Sequence, residues 1–328
     1  MDFYINTSKG IKCLVCRHYC QLAKGQTGIC GVNKNENDKL VNLVYGKVAA
    51  INTDPIEKKP LYHFYPGSSA LSIGTAGCNM QCPFCQNWEI SQINNMPKAV
   101  KITPKEIIQL ALQKNCNSIA YTYNEPTVFY PYARDIALLA KEHNIKNIFV
   151  SNGMESPTTI EDMTGIIDAF NIDLKSFDSG YYKKVLKGDL NGVLDTLKLI
   201  RHHGFWLEVT TLIVPDENDS DSSLKSIANF ITSELGSDTP WHISAFYPHY
   251  KMTYKNQTPA QSIQRAFDIG KASGLKYIYK GNVAEKGITY CPGCGEELII
   301  RNGYFITKNV IQQGACPYCN TKINGIWN

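Results

Sequence analysis

The chain has 328 residues, 43% hydrophobic, 11% aromatic and 19% charged, with a net charge of +4. That much apolar material builds a sizeable core over about two domains and excludes a disordered or collagen-like chain. Met1–Gly10 shows no basic stretch running into an apolar core, and no apolar run reaches the roughly 18 residues of a membrane span, so a cytoplasmic protein with no membrane contact is expected. Residues 1–66 hold nine Lys and Arg against five Asp and Glu, a surplus of four. This surplus is too dispersed to serve as a nucleic-acid surface, which needs clustered cations. Twelve cysteines in a reducing compartment predict metal sites instead of disulfides.

Residues 1–66 are expected to form a cysteine-rich segment and linker. Cys13, Cys16, Cys20 and Cys30 have the spacing C-x2-C-x3-C-x9-C, which suits either zinc or an iron–sulfur cluster. His18 inside this loop reads as a surface residue, and Tyr62, His63 and Phe64 read as packing. A strand over Ala70–Thr75 then leads into Cys78-Asn-Met-Gln-Cys82-Pro-Phe-Cys85, a C-x3-C-x2-C triplet. Three thiolates leave one iron of a four-iron cluster open to something other than protein. The alternative is a zinc loop that borrows a distant fourth ligand.

Beyond the triplet, strand and helix patterns alternate. Thr103-Pro104-Lys105-Glu106 opens a helix with a capping box. Ser118–Tyr123 is a predicted strand, Thr127–Asn144 a helix and Asn147–Ser151 a strand. Ser156-Pro157 starts the next helix and Phe170–Leu174 is a strand. A helix over Gly192–His203 follows, then a strand over Phe205–Ile213. The pattern continues with a helix over Leu224–Leu235 and a strand over His242–Phe246. Thr258-Pro259-Ala260-Gln261 is expected to cap the last helix before a strand over Lys276–Lys280. Such repeats predict parallel strands joined by right-handed crossovers. Six to seven units fall short of eight, so residues 67–284 are expected to form an α/β fold, a partial (β/α)6 barrel. Its site belongs at the C-terminal strand ends. Polar residues gather there: Asn124-Glu125, Ser151-Asn152-Gly153, Asp173 with Lys175, Thr210, and His242 with Ser244. Asp173 and Lys175 alternate with apolar neighbours and so share one face. His202-His203 ends a helix and suits its dipole, while Cys116 reads as a small buried hydrophobe.

Residues 285–328 carry Cys291, Cys294, Cys316 and Cys319 as two C-x2-C knuckles on either side of a hairpin with an Asn302-Gly303 turn. This pattern predicts a rubredoxin-like zinc ribbon, with iron as the alternative ion.

The C-x3-C-x2-C loop after the first strand of a partial barrel resembles the radical S-adenosylmethionine (radical SAM) superfamily. TAGCNMQCPFCQNWEIS, YTYNEPT, VSNG, NIDLKSF and WHISAFYP are similar to the branch of pyruvate formate-lyase activating enzymes. DPIEKKPLYHFYPGS and the N-terminal cysteines resemble the radical SAM protein of the AmmeMemoRadiSam grouping. The resemblance implies that Cys78, Cys82 and Cys85 ligate a 4Fe-4S cluster and that SAM chelates the open iron. It implies that Phe84 packs near the adenine. Asn124 and Glu125 would meet the SAM amino group, Ser151 and Asn152 the ribose, and Lys175 with Asp173 the carboxylate. His242 would touch SAM or substrate. Tyr123-Asn124-Glu125 departs from the family's GGE motif in lacking both glycines, and Val150 stands where activases often carry a cation-binding aspartate. The implied reaction is reductive cleavage of SAM to a 5′-deoxyadenosyl radical, fed by an external electron donor, followed by hydrogen abstraction from a small-molecule or protein substrate. An activase that places a glycyl radical on a partner protein is a narrower alternative. A non-enzymatic zinc-binding interaction protein is the contrasting class.

Overall fold

The computed structural model describes residues 3–92 and 97–327. Eight strands form one sheet: β1 (Ala50–Pro55), β2 (Ser69–Gly74), β3 (Ser118–Tyr121), β4 (Lys146–Ser151), β5 (Ala169–Asp173), β6 (Trp206–Ile213), β7 (Trp241–Ala245) and β8 (Ile278–Gly281). They lie side by side in chain order. β2 to β8 are parallel, and β1 runs antiparallel along β2. The crossovers are helical: α1 (Pro104–Gln113), α2 (Tyr130–Glu142), α3 (Pro157–Met163), α4 (Leu190–His202), α5 (Asp221–Phe230) and α6 (Ala260–Ala272). The barrel is therefore partial, with a seventh parallel strand and an antiparallel edge. Each helix turns an apolar stripe to the sheet; Ile136, Ala137 and Ala140 of α2 and Val193, Leu197 and Ile200 of α4 are fully buried. Among the described residues no helix is long and apolar enough to cross a membrane.

Local signals hold where the partners are local. Thr103 Oγ1 accepts from Glu106 N at 3.3 Å, and Glu106 Oε2 accepts from Thr103 N at 2.7 Å, which completes the capping box. Ser156 Oγ accepts from Thr159 N at 3.1 Å at the start of α3. Two expectations need correction. The helix expected from Thr127 is broken, because Pro126–Phe129 forms a tight 3-10 turn before α2 begins at Tyr130. Thr258 does not cap α6. Its hydroxyl donates to Ile213 O at 2.6 Å and accepts from Phe246 N at 2.8 Å, so it ties two strand ends together.

The sheet leaves a seam between β1 and β8, and the C-terminal segment fills it. β9 (Gly287–Tyr290), β10 (Glu297–Asn302) and β11 (Phe305–Asn309) form the antiparallel ribbon, with the hairpin turn at Asn302-Gly303 as expected. Arg301 of β10 is fully buried. Its guanidinium lies 3.6 Å from Glu57, donates to Tyr62 O at 2.7 Å and to Thr289 Oγ1 at 3.0 Å, and stacks 4.2 Å from the Tyr62 ring. Glu57 is equally buried, and burial raises its carboxyl while Arg301 pulls it down. The two charges attract each other across 3.6 Å of dry interior, and Glu57 Oε1 also accepts from Gly67 N at 2.9 Å, which offsets part of the cost of taking them out of water.

The segment between β1 and β2 folds up into the barrel. Glu208, in the middle of β6, accepts from Tyr62 N at 2.9 Å and His63 N at 2.8 Å. His63 is completely buried between Asn324 O at 2.7 Å and the Tyr279 hydroxyl at 2.5 Å, and burial pulls its pKa down to about 4, so it is neutral. Phe64 packs with Ile56, Leu61 and Trp206. The packing reading of Tyr62, His63 and Phe64 thus describes two of the three, because Tyr62 also reaches the central cavity. Cys116 is buried, and His202 and His203 stand at the end of α4, as expected.

Candidate active site

A cavity of about 700 Å³ opens within the barrel. Cys78, Cys82, Cys85, Phe84, Asn124, Glu125, Ser151, Asn152, Asp173, Lys175 and His242 all line it, and so do Thr210 and Ser244. The sequence separates these positions by up to 166 residues, and the ends of the parallel strands bring them to one rim.

The triplet sits on the loop after β2. Gly77 has φ +90, and a Cβ there would stand 2.5 Å from Cys30 O, so the loop needs glycine at this point. Asn124 braces the loop from β3: its Oδ1 accepts from Thr75 N at 2.9 Å and its Nδ2 donates to Gly77 O at 2.9 Å. Met80 N donates to Cys78 Sγ at 3.3 Å, and Asn152 Nδ2 approaches the same sulfur at 3.8 Å. Burial pushes all three thiols up, Cys82 to about 11 and Cys78 well above the usual thiol range. Nearby Lys175 pulls Cys82 and Cys85 the other way. Buried thiols without a counter-cation stay protonated; a metal core would take the place of those protons.

Tyr123 takes φ +71, a left-handed conformation that favours glycine. The strain is held by its side chain, whose hydroxyl donates to Asp54 Oδ2 at 2.9 Å and accepts from Asn52 Nδ2 at 3.1 Å. The missing glycine of the motif is thus replaced by an anchored tyrosine. Glu125 is fully committed. Its Oε1 accepts from Thr127 N at 3.0 Å, Thr127 Oγ1 at 2.6 Å and Ser151 Oγ at 2.8 Å, and its Oε2 accepts from Asn152 N at 2.9 Å. Glu125 and Asn124 therefore spend their polar atoms on the loops that frame the cavity, as does Ser151. Glu155 lies beside Glu125, and burial together with that charge pushes its pKa up to about 7. Two adjacent carboxyls in a dry site do not both ionise.

On the cavity lining, Lys175 Nζ meets Asp173 Oδ2 at 2.7 Å. Burial works against the Lys175 ammonium, yet Asp173 and Cys82 hold it above the usual lysine range. Lys175 is thus the cation beside the triplet. His242 Nε2 lies 2.6 Å from Glu208 Oε2, and that hydrogen bond holds the Glu208 carboxyl below its usual range against the opposing effect of burial. Glu208 was not singled out from sequence. Its signal was an acid at an inward position of FWLEVTT, two residues before Thr210. Thr210 donates to Asn171 Oδ1 at 2.9 Å.

At the C-terminus, Cys291, Cys294, Cys316 and Cys319 bring their sulfurs within 4.8 Å of one another, with Cys291–Cys319 at 3.5 Å and Cys294–Cys316 at 3.7 Å. Zn–S bonds of about 2.3 Å in a tetrahedron place sulfurs about 3.8 Å apart, so this quartet is compatible with a zinc ribbon.

Residues 72–231, the stretch that carries the triplet and the strand-end residues from β3 to β6, match the Radical SAM superfamily. The chain belongs to the radical SAM superfamily. It is similar to the protein MJ0808 of Methanocaldococcus jannaschii, with 41% identity over 321 residues, covering 96% of this chain and 95% of that one. It is also similar to the pyruvate formate-lyase-activating enzyme of Clostridium pasteurianum, with 24% identity over 161 residues, 47% of this chain and 66% of that one. In fold it resembles Streptococcus suis SuiB in its complex with S-adenosylmethionine, with a TM-score of 0.53 at 13% identity over 69% of this chain and 53% of that one. Radical SAM proteins are enzymes, and their domain implies a 4Fe-4S cluster and SAM. The triplet, with Cys82 buried and Cys78 and Cys85 half-buried, is one ligand short of four irons and faces a cavity with a lysine beside it, which fits that pair.

Proposed function

We propose that this radical SAM enzyme cleaves SAM reductively in the barrel cavity and uses the resulting radical to take a hydrogen atom from a small-molecule or protein substrate. Cys78, Cys82 and Cys85 would hold the 4Fe-4S cluster, whose chemistry is to bind SAM at the open iron and supply it with one electron. The observation that carries the reading is the common wall shared by the triplet, Phe84 and the Asp173–Lys175 pair.

The residues divide the work. Lys175 presents its ammonium where a SAM carboxylate would lie, and Asp173 keeps that ammonium charged and aimed. Phe84 offers an apolar surface to the adenine, and Asn152 aims an amide at the edge of the triplet. Glu125 and Asn124 act as positioning residues: they fix the β2 and β4 loops and leave the cluster ligands in one geometry. Tyr62 and His242, the latter held by Glu208, line the cavity and keep bulk water out.

An activase acting on a glycine of a partner protein is a narrower reading, favoured by the similarity to the Clostridium pasteurianum enzyme. Incubation with a candidate partner and detection of a glycyl EPR doublet tests it; a partner that yields only 5′-deoxyadenosine and no doublet counts against it. The broader reading is tested with anaerobically reconstituted protein, dithionite and SAM. 5′-Deoxyadenosine and methionine are expected in equal amounts, and iron-replete protein that forms neither overturns it.

A further inference from the structure

The ribbon does more than fill the seam, because Gly287, Gly303 and Tyr304 line the central cavity. Two sets of contacts run from it to barrel residues that face the same cavity. The first holds Tyr62. Its ring shares an apolar cluster with two ribbon cysteines, Cys291 and Cys316, and with Leu298, Ile299 and Ile323. Arg301 donates to Tyr62 O at 2.7 Å and stacks 4.2 Å from the ring. A Cβ on Gly287 would stand 3.2 Å from Tyr62 Cε2, so glycine lets β9 lie close against that ring. The same ring packs edge-on against His242, with centroids 4.8 Å apart. The second set holds His63. Ile326 N donates to His63 O at 2.7 Å, and Tyr65 N donates to Ile326 O at 2.8 Å. His63 Nδ1 donates to Asn324 O at 2.7 Å, and the Tyr279 hydroxyl at His63 Nε2 also meets Thr289 of β9 at 2.8 Å.

These contacts fix two backbone N–H groups that the cavity depends on. Glu208 is wholly buried in the middle of β6, and a buried carboxylate needs its oxygens hydrogen-bonded. Four donors fill it: Tyr62 N at 2.9 Å, His63 N at 2.8 Å, Trp206 Nε1 at 3.1 Å and His242 Nε2 at 2.6 Å. Two of the four belong to the segment that the ribbon grips. The carboxylate therefore passes the ribbon's hold on to His242, which lines the cavity.

We propose that the ribbon is a working wall of the cavity, with Arg301 and residues 324–327 as positioning residues that hold Tyr62 and, through Glu208, His242 in the lining, and with Tyr304 facing the substrate beside them. The metal of the Cys291 quartet acts at a distance: it keeps β9, β10 and residues 324–327 in one body, so that the grip on Tyr62 and His63 is continuous. Giving this wall to the substrate rests on the catalytic reading, which assigns the triplet, Phe84 and the Asp173–Lys175 pair to the cofactors. The hold on Tyr62 and His242 does not rest on it.

The test is footprinting of the full, iron-loaded chain at a temperature where every variant is folded. Diethyl pyrocarbonate labels free imidazole nitrogens, so mass spectrometry reads the hold on His242, and hydrogen exchange reads the amides of Tyr62 and His63. Wild-type protein should label slowly at His242. Arg301→Ala should speed that labelling and the exchange of both amides by about tenfold, with iron and ribbon metal retained. Arg301→Lys keeps a donor for Tyr62 O and should recover part of the protection. Cys316→Ser/Cys319→Ser should lose the ribbon metal, keep iron and label like Arg301→Ala. Glu57→Gln separates positioning from stability: it also leaves a buried charge unpaired but keeps Arg301 on Tyr62, so His242 should label at the wild-type rate. Faster exchange confined to residues 285–327, or equal His242 labelling in Glu57→Gln and Arg301→Ala, overturns the proposal. Failure of the catalytic reading looks different: iron-loaded wild-type protein with this footprint and no 5′-deoxyadenosine.

Discussion

The C-terminal quartet draws its sulfurs to 3.5 and 3.7 Å and leaves Cys294 and Cys319 exposed, whereas the N-terminal quartet is mostly buried and pressed against the triplet loop. The ligand count is four in both. What separates them is what they touch. The ribbon sits in the seam between β1 and β8, where Arg301 and Glu57 join it to the barrel, and its cysteines face away from the cavity. The N-terminal cysteines lie against Gly77 and Asn79, within the walls that hold the cluster ligands. Four cysteines can thus stand apart from a cavity or lie against its walls, and their neighbours tell the two apart.

The largest effect is expected at the triplet. Cys82→Ala should bring 5′-deoxyadenosine formation to background and remove about four irons per chain, with zinc unchanged. A variant that keeps full iron and activity would break the assignment of the catalytic set. Next comes the ribbon. Cys291→Ser should release zinc and unfold the ribbon, since structural zinc contributes about 10–16 kcal/mol in zinc-finger peptides. Hydrogen exchange over residues 285–328 should rise while iron content holds; loss of iron as well would merge two sites held here to be separate.

The seam gives a smaller effect. Arg301→Ala strands Glu57 as an unpaired buried charge and should cost about 3–5 kcal/mol in chemical denaturation, with zinc retained. A change under about 1 kcal/mol would mean that the ribbon is an appendage to the barrel. The smallest effect concerns Glu155, whose folded pKa is raised to about 7 by burial and by Glu125. A group raised in the folded state contributes stability below its unfolded pKa and loses it as pH climbs through the folded value. Stability should therefore fall between the ordinary glutamate range and about pH 7, by on the order of 3 kcal/mol. Glu155→Gln should flatten that slope in melts taken from pH 4.5 to 7.5. An unchanged slope would show that the Glu125–Glu155 contact does not couple proton uptake to folding.

Much of this arrangement was legible in the sequence because its signals are local. The triplet, the knuckles, the Thr103 capping box and the Asn302-Gly303 hairpin each depend on residues a few positions apart. Ala50–Pro55 fell within the segment read as cysteine-rich and linker, since Asn52-Thr53-Asp54 is polar without alternation; Asn52 and Asp54 find Tyr123 and Lys59 as partners only in the fold. Thr258 looked like a helix cap, but Ile213 and Phe246, more than ten residues away, took its hydroxyl. Glu208 and Arg301 were missed because a buried charge inside a strand has meaning only once its distant partner is known. The motif placed Glu125 at the cavity, where it stands, but the four donors around its carboxylate include Ser151 and Asn152, which only the fold brings near.

The central claim is that the triplet of cysteines cleaves SAM. Its most direct test is a single anaerobic assay on wild-type protein whose iron and sulfide have been counted, with dithionite as reductant and SAM as the only other reactant. The account predicts 5′-deoxyadenosine and methionine in equal amounts, both absent from the Cys82→Ala protein. A cluster-loaded wild-type chain that leaves SAM intact would contradict it.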